Sequence, residues 1–451
     1  MAVEAVVGFL LTKLDSFIRK NVSLLTGVET EVGEMQFKLL SIKTFLASAP
    51  DSSIEEVVVD DQLQLWIKNV REVAYDIEDV LDEFTLKLKN DSRKAPKIAK
   101  RLEVGKKLKE IKRRLHNINE LKDSYFNNQW SIPGNDGWQD PRDDFHPEKR
   151  SDYGRVISYK VHPLMREFIL LKSKEVNFCN KIVSNTQKLR RLSIDEGMIK
   201  DDLHASTLSH VRSFFAFGDA KSSISGILLN FKFLKVLDLE SAPLESFPES
   251  LTELFFLRYL SLENTKMKKL PKSLGKLVNL EALNLKGTFV RDLPPTIVKL
   301  QNMRHLLVYH YDMKAPPFFY VKAVKLPAGI DCLKSLQKLS YIKADSKRGT
   351  ISELGKLTQL RRLGVVGVRK KDCRNLCASV ANMKNLLSFS VRSAVADELV
   401  DLEHLETPPP GLQDLSGSVT IEGGMAMERF GLRLGPLAIH VIMPQMLPIW
   451  I

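Results

Sequence analysis

The chain has 451 residues, of which 44% are apolar and 27% charged, and 67 Lys and Arg against 55 Asp and Glu give it a net charge of +12. This composition excludes a wholly disordered protein, and the length allows two to four domains of ordinary size. Four cysteines are too few for a disulfide framework in so long a chain and favour a reducing compartment. No stretch has the roughly 20 consecutive apolar residues of a bilayer span, so we expect a cytoplasmic protein.

The positive charge is concentrated in residues 87–114, where 13 basic side chains lie against 3 acidic ones and give +10. Clustered Lys and Arg attract phosphate, so nucleic-acid binding through this segment is one function to consider. Apolar residues at helical spacing run through the same segment, at Val104, Leu108, Ile111 and Leu115. That spacing favours a basic face on a helix of a bundle instead.

Residues 1–125 carry apolar residues spaced alternately three and four apart, which indicates the buried face of a helix. Breakers at Ala49-Pro50-Asp51 and Ala95-Pro96 separate such stretches, and a four-helix bundle is predicted. The four faces are Val3, Val7, Leu10, Leu14 and Phe17; Leu25, Val28, Val32, Met35, Leu39, Ile42 and Leu46; Leu63, Trp66, Val70, Val73, Ile77, Val80 and Phe84; and Val104, Leu108, Ile111, Leu115 and Ile118. Residues 126–160 show no period and contain Pro133-Gly134-Asn135-Asp136-Gly137, which predicts a linker or a deletion junction.

From Leu189 the chain becomes a repeat. Units of the form L-x-x-L-x-L begin at Leu189, Val211, Leu234, Leu257, Leu280, Met303, Leu336, Leu360 and Leu386. Four consecutive starts are 23 residues apart, within the range of leucine-rich repeats, and Phe247-Pro248, Leu270-Pro271 and Leu293-Pro294 recur at the same step. We predict an α/β leucine-rich-repeat solenoid over residues 189–410, with a ten-residue insertion after Met303 and an atypical C-terminal tail over 411–451.

Motifs of the common catalytic sites are not found in the sequence. A P-loop requires G-x-x-x-x-G-K-[ST], and the Gly-Lys pairs at Gly105, Gly275 and Gly355 are followed by Lys107, Leu277 and Leu357. Cys373 and Cys377 have no neighbouring His, which argues against a metal site. We therefore predict no catalytic, cofactor-binding or metal-binding residues, and a protein that is not an enzyme.

Two sets of charged residues stand out. At about 100° per residue, Glu78, Asp79 and Asp82 lie opposite the apolar face of the third helix and predict a compact acidic surface, for which an ordinary solvated helix face is the alternative. In the repeats, the residue after the first leucine is basic in six of eight units. We name these six the basic column: Arg190, Arg212, Lys235, Arg258, Arg304 and Arg361. Neighbouring strands lie about 4.8 Å apart, and like charges side by side are unfavourable, so the column indicates an acidic counterpart, with solubility as the alternative.

These features resemble plant disease-resistance proteins of the coiled-coil, nucleotide-binding, leucine-rich-repeat (NLR) class. Glu78-Asp79-Val80-Leu81-Asp82 resembles the EDVID motif of that family's Rx-type N-terminal domain, which in the family docks on an arginine column of the repeats. Tyr153-Gly154-Arg155-Val156, leading to Val161-His162-Pro163, resembles the end of the family's nucleotide-binding region, where Met-His-Asp is usual. By this resemblance Val161, His162 and Pro163 are a degenerate nucleotide-sensor remnant, within a remnant segment 161–188.

The resemblance covers about residues 1–125 and 153–400 and implies a protein of innate immunity. The repeats would recognise a pathogen effector or a guarded host protein, and the bundle would signal, self-associate or contact other NLR receptors. ADP or ATP is expected for the family, but the nucleotide-binding NB-ARC module is missing between the two ends, so no cofactor is predicted and the chain is expected to act as a truncated partner or modulator of intact receptors. Residues 1–11 resemble the family's first helix, which implies at most a peripheral place at the plasma membrane. The alternatives are a nucleic-acid-binding protein and an inactive product of a disrupted receptor gene.

Overall fold

The chain forms two compact units, residues 1–140 and 141–451. A computed structural model describes the following residues: 2–21, 29–48, 61–89, 96–126, 145–150, 156–161, 189–194, 208–216, 224–312, 320–344, 349–394, 400–417, 419–420 and 433–434. Each unit has its own hydrophobic core.

Four helices make up the described part of the first unit. They are α1 (Ala2–Asn21), α2 (Glu29–Ser48), α3 (Asp61–Lys89) and α4 (Pro96–Phe126). Helix α3 packs on α4 and α1, and α2 packs on α1 and α4, so the predicted four-helix bundle is confirmed. Pro96 is the first residue of α4, where the missing N–H of proline costs no intrahelical bond.

The predicted apolar faces meet in the core of the bundle. The buried members are Val7, Leu10, Leu14, Phe17, Val32, Met35, Leu39, Ile42, Trp66, Val70, Val73, Ile77, Val80, Phe84, Leu108, Ile111, Leu115 and Ile118. Each such side chain contributes roughly 1.5 to 3 kcal/mol when it is fully buried. Phe17 packs edge-on against Phe84 at 5.4 Å, and the indole Nε1 of Trp66 donates a 2.9 Å hydrogen bond to the Ile118 carbonyl. These two contacts tie α3 to α1 and to α4.

The second unit begins with an antiparallel hairpin of β1 (Phe145–Arg150) and β2 (Val156–Val161). Apart from Val161, the hairpin lies in the stretch 126–160 that the sequence predicts to be a linker or a deletion junction. Its physical reason is visible in β2, where Val156, Tyr159 and Val161 supply the β-branched and aromatic residues that favour strands.

The remaining described strands follow the repeats. Their bounds are β3 (Arg191–Ile194), β4 (Ser213–Ala216), β5 (Val236–Asp238), β6 (Tyr259–Ser261), β7 (Ala282–Asn284), β8 (His305–Leu307), β9 (Tyr309–Asp312), β10 (Tyr320–Ala323), β11 (Lys338–Lys343), β12 (Arg362–Val368), β13 (Ser388–Ser393), β14 (Val400–Asp401), β15 (Asp414–Gly417), β16 (Val419–Thr420) and β17 (Arg433–Leu434). Eleven of them form one parallel sheet in the order β3-β4-β5-β6-β7-β8-β11-β12-β13-β15-β17. All nine predicted repeat starts are confirmed, since a strand of this sheet begins two residues after each.

The side opposite the sheet is built from short helices. Glu249–Glu253, Lys272–Lys276, Pro295–Lys299, Ile330–Cys332 and Lys370–Asp372 are 3-10 helices, and α5 (Ile224–Leu228), α6 (Thr350–Leu354) and α7 (Cys373–Ala381) are α-helical. The recurring prolines Pro248, Pro271 and Pro294 each cap the start of a 3-10 helix, as the 23-residue step indicates. Leucines from both sides of the solenoid fill one continuous core.

Two features depart from the regular repeat. The predicted insertion after Met303 forms the antiparallel hairpin β9–β10, which contacts β11 and β12. The sheet also continues beyond residue 410, where the sequence places the last repeat, because Leu412 and Leu415 are buried and β15 pairs with β13 and β17. Residues 418, 421–432 and 435–451 of the predicted tail lie outside the described residues.

Candidate functional site

The acidic residues of α3, which are Glu78, Asp79 and Asp82, contact other residues of the bundle. The Lys13 Nζ lies 2.5 Å from Asp82 Oδ1 and 3.4 Å from Glu78 Oε1, so α1 supplies a cation to both carboxylates. Asp82 is only 3% exposed. The expectation that Asp82 belongs to a solvent-facing acidic surface is therefore wrong, whereas Glu78 and Asp79 are half-buried at its edge.

The reason lies in the way α3 is covered. A single apolar face predicts one packed side, but Tyr75, which at about 100° per residue lies nearly opposite Ile77 on α3, is also buried. Helix α1 packs on α3 in addition to α4, which removes from solvent the side that carries Asp82.

The basic segment 87–114 also finds partners within the bundle. In α4, Lys107 lies 2.7 Å from Glu83 of α3, Lys112 lies 2.5 Å from Glu34 of α2, and Arg114 pairs with Asp76 of α3. The hydrogen bond from Lys107 to Glu83 raises the pKa of the lysine. These pairs neutralise part of the positive charge that first points to an external polyanion.

The backbone at the positions of the basic column forms a ladder of hydrogen bonds from repeat to repeat. Starting from Arg190, the carbonyl of each column residue accepts a hydrogen bond from the N–H of the equivalent residue in the next repeat, at 2.7 to 2.8 Å, as far as Gln413. The ladder runs through Arg190, Arg212, Lys235, Arg258, Glu281, Arg304, Gln337, Arg361, Leu387 and Gln413. The sequence spacing therefore predicts correctly which backbone positions stack.

The side chains of the column do not form one exposed stripe. Arg190 and Arg212 are buried and donate to the carbonyls of His210 and Phe233, and the Arg212 guanidinium lies 4.4 Å from the centre of the Phe233 ring. These two arginines stabilise the N-terminal end of the solenoid. The expectation of a uniform external column is wrong for them.

Glu281 interrupts the exposed part of the column. Its carboxylate lies 3.6 Å from Arg258 and 3.9 Å from Arg304, and both arginines are more than half exposed. Surface pairs of this length contribute little to stability, typically about 0 to 1 kcal/mol. Arg258 and Arg304 therefore remain available to a partner, and Arg361 is exposed as well.

A basic cluster forms around β8, β11 and β12. Lys338 is directly paired with His305 on one neighbouring strand and with Arg362 on the other, beside Arg304 and Arg361 of the column. Partial burial together with Lys338 and Arg304 lowers the pKa of His305, and burial together with Arg362 and Lys286 lowers the pKa of Lys338. Among the described residues, Lys338, Arg361 and Arg362 have no carboxylate within 4.0 Å. We name His305, Lys338, Arg304, Arg361 and Arg362 the basic end of the sheet face.

Two carboxylates lie at the C-terminal ends of β5 and β6, those of Asp238 and Glu263. Asp238 is half-buried there, and desolvation raises its pKa, with Glu263 adding to the shift. Asn284 Nδ2 donates to Glu263 Oε2 at 2.6 Å, and Lys286 lies 3.8 Å from the same carboxylate. Burial, followed by the charge of Asp238, raises the pKa of Tyr259. We name Asp238, Glu263 and Tyr259 the acidic end.

The basic column predicts only Arg304 and Arg361 of the basic end and no residue of the acidic end. His305, Lys338 and Arg362 occupy the second variable position of L-x-x-L-x-L, and Asp238 occupies the position before the third leucine. The repeat pattern could have predicted these residues, because the variable positions within each strand face away from the buried leucines.

The proposed sensor remnant is described only in part. Val161 is the last residue of β2 and pairs with Phe145, whereas His162 and Pro163 lie outside the described residues. Three thiols are described: Cys332 is exposed, and Cys373 and Cys377 are buried on α7. In the described part of the chain, no helix is both long and apolar enough to cross a bilayer.

The geometry defines a leucine-rich-repeat protein with an N-terminal helical bundle, and two family profiles match the same two units. The Rx N-terminal domain profile matches residues 6–102, and the leucine-rich repeat region profile matches residues 210–429. Parts of the chain are similar in sequence to plant disease-resistance proteins. This result agrees with the resemblance carried by the acidic motif and the repeats.

Named relatives include disease resistance protein RPM1 of Arabidopsis thaliana, which is 38% identical over 265 residues, covering 56% of this chain and 28% of that protein. Disease resistance protein PIK6-NP of Oryza sativa subsp. japonica is 36% identical over 93 residues, covering 20% of this chain and 9% of that protein. The chain thus spans less than a third of the length of these relatives.

Similar solved structures are also leucine-rich-repeat proteins. One is from Leptospira interrogans, with 19% identity, a TM-score of 0.35, and coverage of 57% of this chain and 81% of that chain. Another is the ectodomain of the plant receptor kinase GASSHO1/SCHENGEN3 from Arabidopsis thaliana, with 14% identity, a TM-score of 0.37, and coverage of 57% and 36%.

Proposed function

We propose that the chain is a plant disease-resistance protein that acts by binding proteins rather than by catalysis. Its repeats recognise a pathogen effector or a guarded host protein, and its bundle self-associates or contacts intact receptors of the NLR class. The observation that carries this proposal is the sheet face, which presents a basic end and an acidic end on a rigid backbone ladder. Such an arrangement supports recognition of a protein with complementary charge.

The role of a partner or modulator of intact receptors rests on the expectation that the nucleotide-binding module is missing between the bundle and the repeats. The sequence contains no P-loop, and both modules that bind proteins are present. Calorimetry with ADP and Mg²⁺ should detect no binding to the full chain. Tight binding of ADP would overturn this part of the proposal.

Docking of the acidic motif on the basic column stays a prediction. Because Lys13 pairs with both Asp82 and Glu78, reversal of either carboxylate would damage the bundle itself, so the docking test uses Asp79. We expect D79K to expand the chain in small-angle scattering, and R258E/R304E in the same chain to restore part of its compactness. An unchanged radius of gyration in D79K would contradict docking.

Nucleic-acid binding through residues 87–114 is less well supported, because Glu34, Asp76 and Glu83 pair with the basic side chains of α4. A steep loss of DNA or RNA affinity with salt would favour this alternative. The third alternative, an inactive product of a disrupted gene, predicts that the chain does not accumulate in cells.

Co-expression of the tagged chain in leaf tissue with intact NLR receptors tests the main proposal. We expect a receptor to co-purify with the wild-type chain, and R304E/R361E to lose capture of the protein recognised by the repeats while keeping capture that depends on the bundle. K334E/K384E is the matched control, because it makes the same charge change at exposed lysines that are not members of the basic end. A monomeric chain with no receptor partner in any variant would contradict the proposal.

A further inference from the structure

A cavity of about 560 Å³ lies beside the sheet, between two stacked repeats. Lys268, Lys269 and Lys272 come from one repeat, and Phe289, Arg291, Asp292, Leu293, Pro294 and Pro295 from the next. Its volume falls within the range of about 300 to 1,000 Å³ that is typical of ligand sites. None of the cavity residues belongs to the basic column or to either end of the sheet face.

The charge of the cavity is strongly positive. Four cations surround it against the single carboxylate of Asp292, and among the described residues none of the four has a carboxylate within 4.0 Å. The neighbouring repeat differs at the equivalent positions, because Glu245 and Glu249 stand 23 residues before Lys268 and Lys272. The positive charge is therefore a property of this site and not of the repeat in general.

The apolar part of the cavity centres on Phe289. This side chain is 48% exposed, although it packs against His310 of the inserted hairpin at 4.9 Å between ring centres. Leu270, Leu293 and Pro294 complete the apolar lining. An aromatic ring held at the surface beside apolar side chains is the usual form of an anchor pocket in recognition sites.

The backbone around the cavity is fixed by hydrogen bonds. The Phe289 N–H donates to the Met267 carbonyl at 2.9 Å, and the Lys325 N–H donates to the Arg291 carbonyl at 3.0 Å. The Thr296 hydroxyl donates to the Lys272 carbonyl at 2.7 Å. The cations thus extend from a preformed frame, which lowers the ordering cost of binding.

We infer that this lateral cavity binds a short acidic peptide segment that carries an aromatic or large apolar side chain. The side chain packs on Phe289, Leu270 and Leu293, while acidic residues on either side pair with Lys268, Lys272 and Arg291. Asp292 favours a peptide over a compact polyanion, because its carboxylate repels phosphate but accepts a hydrogen bond from a peptide N–H. The inference deepens the proposed function by naming a second recognition surface on the same repeats.

Fluorescence polarisation with the purified full chain tests the inference. The probe is a labelled nine-residue peptide of alternating Glu and Asp with a central Trp, and the comparison peptides replace Trp by Gly or all acidic residues by Lys. We expect K268E/R291E to weaken binding of the Trp peptide by at least about tenfold and F289A by about fivefold, with the Gly peptide binding more weakly to the wild-type chain. Circular dichroism checks that the exposed substitutions leave the fold intact.

Two matched variants separate this inference from its alternatives. K334E/K384E makes an equal charge change elsewhere on the repeats and should leave the affinity within about twofold of wild type. R304E/R361E alters the basic end and should likewise leave the affinity for the Trp peptide unchanged. A wrong assignment of the cavity would change the result with K268E/R291E, whereas a wrong assignment of the sheet face would change only protein capture by R304E/R361E.

Three outcomes would overturn the inference. The first is no binding of the Trp peptide to the wild-type chain, and the second is an equal loss in K268E/R291E and K334E/K384E. The third is preferential binding of a labelled oligothymidine that depends on Lys268 and Arg291, which would assign the cavity to single-stranded nucleic acid instead.

Discussion

Replacing Lys13 by Met should destabilise the bundle through the acidic motif of α3. The substitution keeps most of the apolar stem of the side chain but removes the ammonium that lies 2.5 Å from Asp82. Asp82 is 3% exposed, so water cannot fully replace the lost partner.

The magnitude follows from this burial. Removing one partner of a fully buried ion pair costs about 3 to 5 kcal/mol, because the other charge is left in the interior. The Lys13 side chain keeps 20% of its exposure, so part of the charge was already solvated and roughly 2 kcal/mol is the appropriate estimate. This corresponds to about a 30-fold increase in the unfolding constant of the bundle.

Urea denaturation followed by the emission of Trp66 measures the effect. Trp66 is 3% exposed in the bundle core, and replacing Trp130, Trp138 and Trp450 by Phe leaves it as the only indole in the chain. We expect the double variant K13M/D82L to lose less stability than the sum of K13M and D82L, because it removes the buried carboxylate of Asp82 together with its cation. Stability of K13M within about 0.5 kcal/mol of wild type, or strict additivity in the double variant, would refute the reasoning.

Three further predictions concern the repeats. Gly275→Ala should cost more than about 1 kcal/mol, because the new Cβ would lie 2.8 Å from the Thr296 Cβ, whereas Gly226→Ala, with no atom within 4 Å, should be neutral or slightly stabilising in thermal unfolding. In native protein, iodoacetamide should label Cys332 at once but leave Cys377 unmodified, since burial raises the pKa of the Cys377 thiol to about 12; equal labelling by mass spectrometry would refute this. In a K268E/R291E background, affinity for a poly-Glu peptide should increase from pH 7.5 to 5.5, because an anion raises the lowered pKa of His305 and binding then takes up a proton. His305→Ala should abolish that dependence, and an unchanged profile in this variant would assign the effect to another group.

The repeat part of the fold could be predicted from the sequence because its signal is strictly periodic. Leucines 23 residues apart determine which backbone positions stack, and the ladder through Arg258 and Arg304 follows from that spacing alone. The pattern does not predict the strand at residues 414–417, because Gly417 stands where the third leucine is expected, although Leu412 and Leu415 keep the first two positions.

The candidate site was predictable only in outline. Periodicity along one helix reports one packed face, so it cannot show that α1 covers the side of α3 that carries Asp82. It also cannot distinguish a column arginine that binds a neighbouring carbonyl, such as Arg212, from one that faces solvent, such as Arg304. These outcomes depend on side-chain packing between elements, which a repeat register does not specify.

The separation of charge along the sheet has a kinetic consequence. The acidic end on β5 and β6 and the basic end on β8 to β12 give the sheet face an electric dipole that runs across the strands, over a distance of roughly 20 Å at the usual strand spacing. A partner with an opposite dipole is rotated into alignment before contact, so the charged ends govern how often an encounter succeeds. Added salt should therefore slow association much more than it speeds dissociation, because it screens the long-range attraction that steers the encounter.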